Sequence, residues 1–177
     1  MVSPARLALP ALVGALLLTA AAGGEEPKYK LEDVSPVGKP DGFHGGLSTR
    51  YAIWYEAGTW HLRTTSGPKG AHSFEGTIEI IGGKMTSLEP IGVEGKEAKK
   101  KERDVGTWNP QHTVFKFTLH TGKGHMDGFE LKVSDKAKAL RFNVTAGGDE
   151  SPEKVFIGAK GAHPKATIFY LPARPEK

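Results

Sequence analysis

Two histidines and an aspartate lie close together in the glycine-rich segment 118–133, TLHTGKGHMDGFELKV. His120, His125 and Asp127 offer the imidazole nitrogens and the carboxylate that a zinc-like ion takes as ligands. Their spacing matches no established metal or catalytic motif. Asp127-Gly128 is a strong turn dipeptide between two stretches of alternating apolar residues. The segment is therefore interpreted as the tip of a hairpin, with a metal site as the alternative.

A second pair with chemical potential, His61 and Arg63, lies in the segment TWHLRTT, residues 59–65. Because side chains alternate between the two faces of a strand, these two share one face while Trp60 and Leu62 take the other. An imidazole beside a cation suits an anionic or sugar ligand if a neighbouring strand adds a carboxylate or an aromatic ring. The competing interpretation is an ordinary solvated sheet face. The ligand-binding candidates are therefore His61, Arg63, His120, His125 and Asp127.

Motifs of the common enzyme classes are missing from the sequence. It contains no nucleophile elbow, P-loop, dinucleotide fingerprint or H-E-x-x-H sequence. It also contains no cysteine, which removes thiol nucleophiles, zinc–cysteine sites and iron–sulfur clusters. No residue is therefore nominated as catalytic or as a metal ligand, and no cofactor is implied.

The tripeptide Gly58-Thr59-Trp60 resembles the G-x-W that opens the barrel of lipocalins and avidin-like proteins. No further motif of those families follows, and the tripeptide comes after an apparent strand instead of opening the first one. Gly58 is interpreted as a turn residue and Trp60 as a core residue.

The elements that must position the candidate residues show the period-two alternation of β-strands. Apolar and polar residues alternate through about nine short segments, and no amphipathic helical pattern stands out. Ala57-Gly58 separates the first two segments as a tight hairpin turn. This pattern predicts an all-β protein with a single antiparallel β-sandwich, and a closed up-and-down β-barrel is the alternative. The predicted core consists of Trp60, Leu62, Phe74, Ile78, Ile80, Phe115, Phe117, Leu119, Phe129, Leu131, Phe142 and Val144.

The N-terminal residues predict export. Arg6 precedes an apolar run over residues 7–18, and small residues follow up to Ala22, as in a secretory signal peptide. The apolar run is shorter than the roughly 20 residues that a spanning helix needs, so no membrane span is expected after cleavage. The predicted organisation is a signal peptide at 1–22, an extended N-terminal arm at 23–49, a β-sandwich domain at 50–172 and a C-terminal tail at 173–177.

Charge argues against a nucleic-acid partner. Residues 1–22 contain one base and no acid, so the remainder carries 23 basic and 20 acidic side chains, a net charge of +3. The densest basic segment, GKEAKKKERD at 95–104, interleaves lysine with glutamate and holds no aromatic residue. It is typical of a solvated loop or short surface helix, and single-stranded nucleic acids are bound with the help of stacking rings.

The order of the segments also predicts which loops share an end of the sandwich. If sequential strands are antiparallel neighbours, the basic loops at 66–71 and 95–104 lie at one end. The loop at 121–128 then lies at the opposite end, beside the turns at 57–58 and 82–83. On this arrangement His61, His120, His125 and Asp127 converge, and a ligand is expected at that end.

Two functions of different class follow from these features. The favoured one is an exported, monomeric, non-catalytic binding or structural module, secreted or periplasmic, whose extracellular ligand is a carbohydrate, a peptide or a protein. The alternative is a secreted, metal-assisted hydrolase that uses His120, His125 and Asp127 together with His112 or His61.

Overall fold

The computed structural model describes residues 28–41, 43, 50–65, 72–91, 104–122, 125–148 and 155–176. The predicted signal peptide and the loop at 66–71 lie outside these ranges, as does the segment 95–103 of the charged loop. No helix that could cross a membrane occurs in the described ranges. The strands are β1 (Arg50–Glu56), β2 (Thr59–Thr65), β3 (His72–Ile81), β4 (Met85–Ile91), β5 (Gly106–Trp108), β6 (Val114–Thr121), β7 (Met126–Val133), β8 (Ala139–Gly148), β9 (Val155–Ile157) and β10 (Ile168–Pro172).

The strands form two five-stranded sheets that face each other. Sheet A has the order β4-β7-β2-β1-β9, and sheet B has the order β10-β8-β3-β6-β5. All pairings are antiparallel except that of β1 with the short β9. Because the two sheets do not close into one another, the predicted β-sandwich is confirmed and the barrel alternative is wrong.

The first hairpin follows directly from its turn residues. Ala57 and Gly58 both have positive φ, 49° and 82°, as a type I′ turn requires at its two central positions. This turn sets the register of β1 on β2, in which Tyr55 pairs with Trp60 and Trp54 pairs with His61.

Two other connections differ from the sequence-based interpretation. The segment 121–128 was expected to form a hairpin tip, but β6 belongs to sheet B and β7 to sheet A, so the segment carries the chain between sheets. The Gly82-Gly83 turn likewise joins β3 of sheet B to β4 of sheet A. Alternation predicts which side chains of a strand face the core. The same alternation occurs whether the next strand belongs to the same sheet or to the other one.

The core lies between the two sheets, and every residue of its predicted list is buried. Aromatic rings join the layers. Phe129 of sheet A contacts Phe115 and Phe117 of sheet B at centroid distances of 5.3 and 5.5 Å. Packing continues past the predicted domain boundary at 172, because Ala173 is fully buried and its carbonyl accepts a 2.9 Å hydrogen bond from Trp60 Nε1.

The two ends of the sandwich have different connections. In sheet A, the pairing of Thr65 with Met126 places the end of β2 beside the start of β7. In sheet B, the pairing of His72 with Thr121 places the end of β6 beside the start of β3. These four strand ends lie at the same end of the sandwich. We call this the loop end; the described strands β2, β4 and β6 end there at Thr65, Ile91 and Thr121. The opposite, turn end holds four connections: 57–58, 82–84, 109–113 and 134–138. The prediction that 121–128 lies beside the turns at 57–58 and 82–83 is therefore wrong.

The described part of the N-terminal arm lies along one side of the sandwich. Glu32 N donates to Tyr170 O of β10 at 2.9 Å, and Tyr29 stacks on the Tyr170 ring. Further along, Val37 forms a parallel bridge with Tyr55 of β1. The arm therefore contacts β10 of sheet B and β1 of sheet A before Phe43 packs onto the outer face of sheet A.

Candidate functional site

The structure separates the candidate residues into two groups. His61 and Arg63 lie near the middle of the outer face of sheet A, whereas His120, His125 and Asp127 lie at the loop end. His61 pairs with Glu130, and His125 precedes Met126, so at least four strand residues, about 13 Å, separate their positions along β7. The predicted convergence of these residues is wrong.

A buried cluster surrounds Arg63 on the outer face of sheet A. The guanidinium donates through Nη1 to Phe129 O at 2.7 Å and to Leu62 O at 2.9 Å, and through Nη2 to Glu130 Oε1 at 2.9 Å. Its carbon Cζ also lies 5.5 Å from the centroid of the Trp54 ring, within cation–π range. Arg63 is only 5% exposed, so this cation is held by the protein and not by water.

His61 belongs to the same cluster. Its ring stacks on Trp54 at a centroid distance of 4.7 Å with 5° between the planes. Nδ1 lies 3.0 Å from Glu130 Oε1, but the direction of approach does not make a hydrogen bond. Burial lowers the pKa of His61 below its ordinary value; Glu130 opposes this effect and the Arg63 cation adds to it. Burial therefore favours the neutral form of the imidazole.

Phe43 covers the aromatic part of this cluster. It contacts the Trp54 ring at 5.7 Å and forms a small apolar cluster with Trp54 and Ala52, against which Met126 packs. Trp54 is 4% exposed. The pair His61 and Arg63 was predicted to lie on either a ligand-binding face or a solvated one. In the structure Arg63 is buried and bonded to protein groups, and His61 beside it is half-buried.

Asp127 is tied into the scaffold at the loop end. Its Oδ1 accepts from Gly128 N at 2.8 Å and its Oδ2 accepts from His120 N at 3.1 Å, and the residue is 3% exposed. The carboxylate thus joins the end of β6 to the start of β7 across the two sheets. This role explains why an acidic residue precedes Gly128 without any turn being formed there.

The two histidines near Asp127 are exposed and point to different surroundings. His120 lies on the outer face of sheet B opposite Ser73, and His125 lies in the connection between β6 and β7. His112, which the hydrolase hypothesis would add, stacks on Trp108 at the turn end. Among the described residues, no group of three or more His, Asp or Glu side chains is arranged to hold a metal ion.

An open cleft of about 940 Å³ lies at the turn end. Three connections build it: the β3–β4 turn, the segment that leads into β6, and the β7–β8 turn. We call it the turn-end cleft. It is lined by Glu79, Ile80, Ile81, Gly82, Gly83, Lys84, Gln111, Thr113, Ser134, Asp135 and Lys136.

Backbone bonds hold two of these walls together. Ser134 N donates to Lys84 O at 2.8 Å, and Lys84 N donates to Ser134 Oγ at 3.1 Å. The walls are in close contact at Gly83, where a Cβ would lie 2.7 Å from the nitrogen of Ala137. Only glycine fits at this position without a shift of the backbone.

The third wall is organised by Asn109. Its Oδ1 accepts from Thr113 N at 2.8 Å and from Val114 N at 3.0 Å, and its Nδ2 donates to Thr113 Oγ1 at 2.8 Å. Thr113 O in turn accepts from Ile80 N at 2.7 Å, which attaches this wall to β3. The cleft is therefore a largely pre-formed surface.

Charges in the cleft are unevenly paired. Glu79 Oε2 lies 3.3 Å from Arg141 Nη1, and Asp135 is paired with Arg174. Lys84 and Lys136 form no ion pair within the described ranges. The two carboxylates are thus neutralised by arginines, and the cleft presents two lysines whose charge is not compensated locally.

Sequence reasoning missed residues of both the Arg63 cluster and the turn-end cleft. Trp54 could have been found, because it has the outward parity in YAIWYE and the two-residue turn places it opposite His61. Glu130 could not, because it reaches His61 through the pairing of β2 with β7, which are far apart in the chain. The turn-end cleft depends on three connections that only the fold brings together. Comparison of the chain with protein-family models, with curated proteins and with solved structures finds no match.

Proposed function

We propose that the protein is an exported, non-catalytic binding module of the cell exterior or the periplasm. The observation that carries this proposal is the turn-end cleft, which is open, pre-formed and of the size that small ligands and short segments of larger ones occupy. Its lining combines backbone groups, two hydroxyls and an amide with charged side chains, which are groups that bind and orient a ligand.

The lining also lacks what most catalytic sites contain. No histidine of the described ranges lines the cleft, and Glu79 and Asp135 are each paired with an arginine, so neither carboxylate is placed as a general base beside a nucleophile. This observation favours binding over reaction. The proposed export rests on the residues at 1–22, and the proposed monomer on the self-contained core of the sandwich.

The alternative function is a secreted hydrolase assisted by a metal ion. It requires His120, His125 and Asp127 to act together with His61 or His112. Asp127 bonds to two backbone nitrogens, His61 lies on the outer face of sheet A, and His112 lies at the turn end. The positions of these residues make the alternative weaker than the binding function.

The test is a binding screen of protein without residues 1–22 against arrays of oligosaccharides and peptides. Each ligand that binds is then incubated with the protein and recovered for mass spectrometry. The binding function predicts saturable binding and an unaltered ligand. Catalytic conversion of a bound ligand, or near-stoichiometric zinc that is lost when His120 and His125 are replaced, would support the hydrolase instead.

A further inference from the structure

We propose that the ligand of the turn-end cleft is an acidic peptide segment of another protein, one that carries carboxylates beside an aliphatic residue. This inference rests on the proposed binding function and adds the chemistry of the ligand.

The charges at the turn end carry the first part of the inference. Lys84 and Lys136 line the cleft without a carboxylate partner in the described chain, and Lys138 lies beside Gly82 at its border. The acids of the lining, Glu79 and Asp135, already have arginine partners. A ligand with two carboxylates would pair with both lysines without displacing any existing ion pair, whereas a cationic ligand would have to compete with Arg141 and Arg174.

The remaining lining favours a peptide over an acidic sugar. Ile81 is half-buried and gives the cleft an apolar component, which suits an aliphatic side chain. Gln111 and Thr113 offer side-chain groups for the amides of a backbone. Among the residues that the structure describes, no aromatic side chain lines the cleft, although aromatic rings are the usual surface on which the faces of sugar rings stack.

Other surfaces of the described chain are less suited to this ligand. Arg63 is buried and bonded to Glu130, so it is not available to an incoming carboxylate. The edge strand β4 is a candidate for strand addition, but its register shifts between Met85 and Ser87 and it contains Pro90. Bulges and prolines are devices that prevent pairing at a sheet edge.

The experiment measures the affinity of a synthetic peptide of alternating glutamate and valine by isothermal titration calorimetry. The same peptide with glutamine in place of glutamate, and an oligogalacturonate of similar charge, are the comparison ligands. The test variant is Lys84→Gln with Lys136→Gln. The matched control is Lys132→Gln with Lys160→Gln, which removes two exposed lysines outside the cleft lining. Its net charge equals that of the test variant.

The inference predicts that the acidic peptide binds the native protein and that the test variant weakens binding about tenfold, since two exposed ion pairs are lost. The control variant should change the affinity less than twofold, and added salt should weaken binding to the native protein. Absence of binding, equal affinity for the glutamine peptide, or an equal loss in the control variant would overturn it. Tighter lysine-dependent binding of the oligogalacturonate would overturn the peptide as occupant. None of these results would overturn the binding function, which fails only if the screen finds no ligand or finds a ligand that the protein converts.

Discussion

The side chain of Arg63 lies directly over Gly128, and this contact is possible because glycine has no Cβ. A Cβ at Gly128 would lie 2.6 Å from Arg63 Cδ and 2.3 Å from the carbonyl oxygen of Leu62. The empty position allows the arginine side chain to cross β7 and reach Phe129 O and Glu130. The Arg63 cation is thus buried on the outer face of sheet A, where protein groups bind it.

Replacement of Gly128 by alanine should therefore destabilise the protein. The added methyl group forces β2 and β7 apart and displaces the arginine, at a cost of about 1–3 kcal/mol or more in the free energy of unfolding. Urea denaturation followed by tryptophan fluorescence measures this cost. Gly122→Ala is the control, because the nearest atom to a Cβ there is His125 Cδ2 at 3.5 Å. Equal stability of the two variants would show that Arg63 does not need the space above Gly128.

Glu130 should stabilise the fold through its bond to the buried guanidinium. Glu130→Gln removes the charge that compensates Arg63 and should lower the free energy of unfolding by about 1.5–3 kcal/mol, the range for hydrogen bonds to charged groups. The control is Glu89→Gln. Glu89 is exposed and lies directly opposite Glu130 on β4, so its neutralisation relieves a like-charge pair and should leave stability unchanged or slightly higher. A larger loss in the Glu89 variant would contradict this account of the cluster.

The stability of the protein should fall on mild acidification because of His61. Burial holds the pKa of His61 in the folded protein below its ordinary value of 6.5, so the unfolded chain binds a proton more readily than the folded one. Stability contributed by the neutral imidazole is complete above that value and is lost as the pH falls towards the lowered pKa. Denaturation midpoints measured between pH 7.5 and pH 5 should show this slope. His61→Gln should reduce it, and His120→Gln should not.

The aromatic centre of the core should be the most sensitive part of the fold. Phe117 is fully buried and its ring contacts those of Phe74 and Phe129, so Phe117→Ala should cost about 3–5 kcal/mol. Ile168 is 44% exposed, and Ile168→Ala should cost much less. Similar losses for both variants in thermal or urea unfolding would contradict the assignment of the core.

The comparison of sequence with structure shows where local information ends. Alternation identified the inward faces of β2, β3, β6, β7 and β8, and the two-residue turn at Ala57-Gly58 predicted the first hairpin. Both features depend only on residues close in the chain. The chain path between sheets could not be obtained in this way, so Asp127-Gly128 was interpreted as a turn when it lies within β7. For the same reason the histidines were placed together, although the strand order separates them.

The turn-end cleft was likewise beyond sequence reasoning. Lys84 and Lys136 belong to connections about 50 residues apart, each unremarkable as a polar turn. They line one surface only because β4 and β7 are neighbours in sheet A and Ser134 bonds to Lys84. Glu79 and Asp135 are paired with Arg141 of β8 and Arg174 of the C-terminal segment. These arginines are distant from their partners in the chain, so the sequence alone does not show which charges of the cleft are paired.

The central claim, that the turn-end cleft is the binding site, is tested most directly by amide chemical shifts of the ¹⁵N-labelled protein titrated with the acidic peptide. The account predicts that the largest shifts fall on the amides of Gly82, Lys84, Thr113 and Lys136, and that His120 and His125 at the loop end stay unchanged. The largest shifts at the loop end or on the outer face of sheet A, with the turn end unchanged, would contradict it.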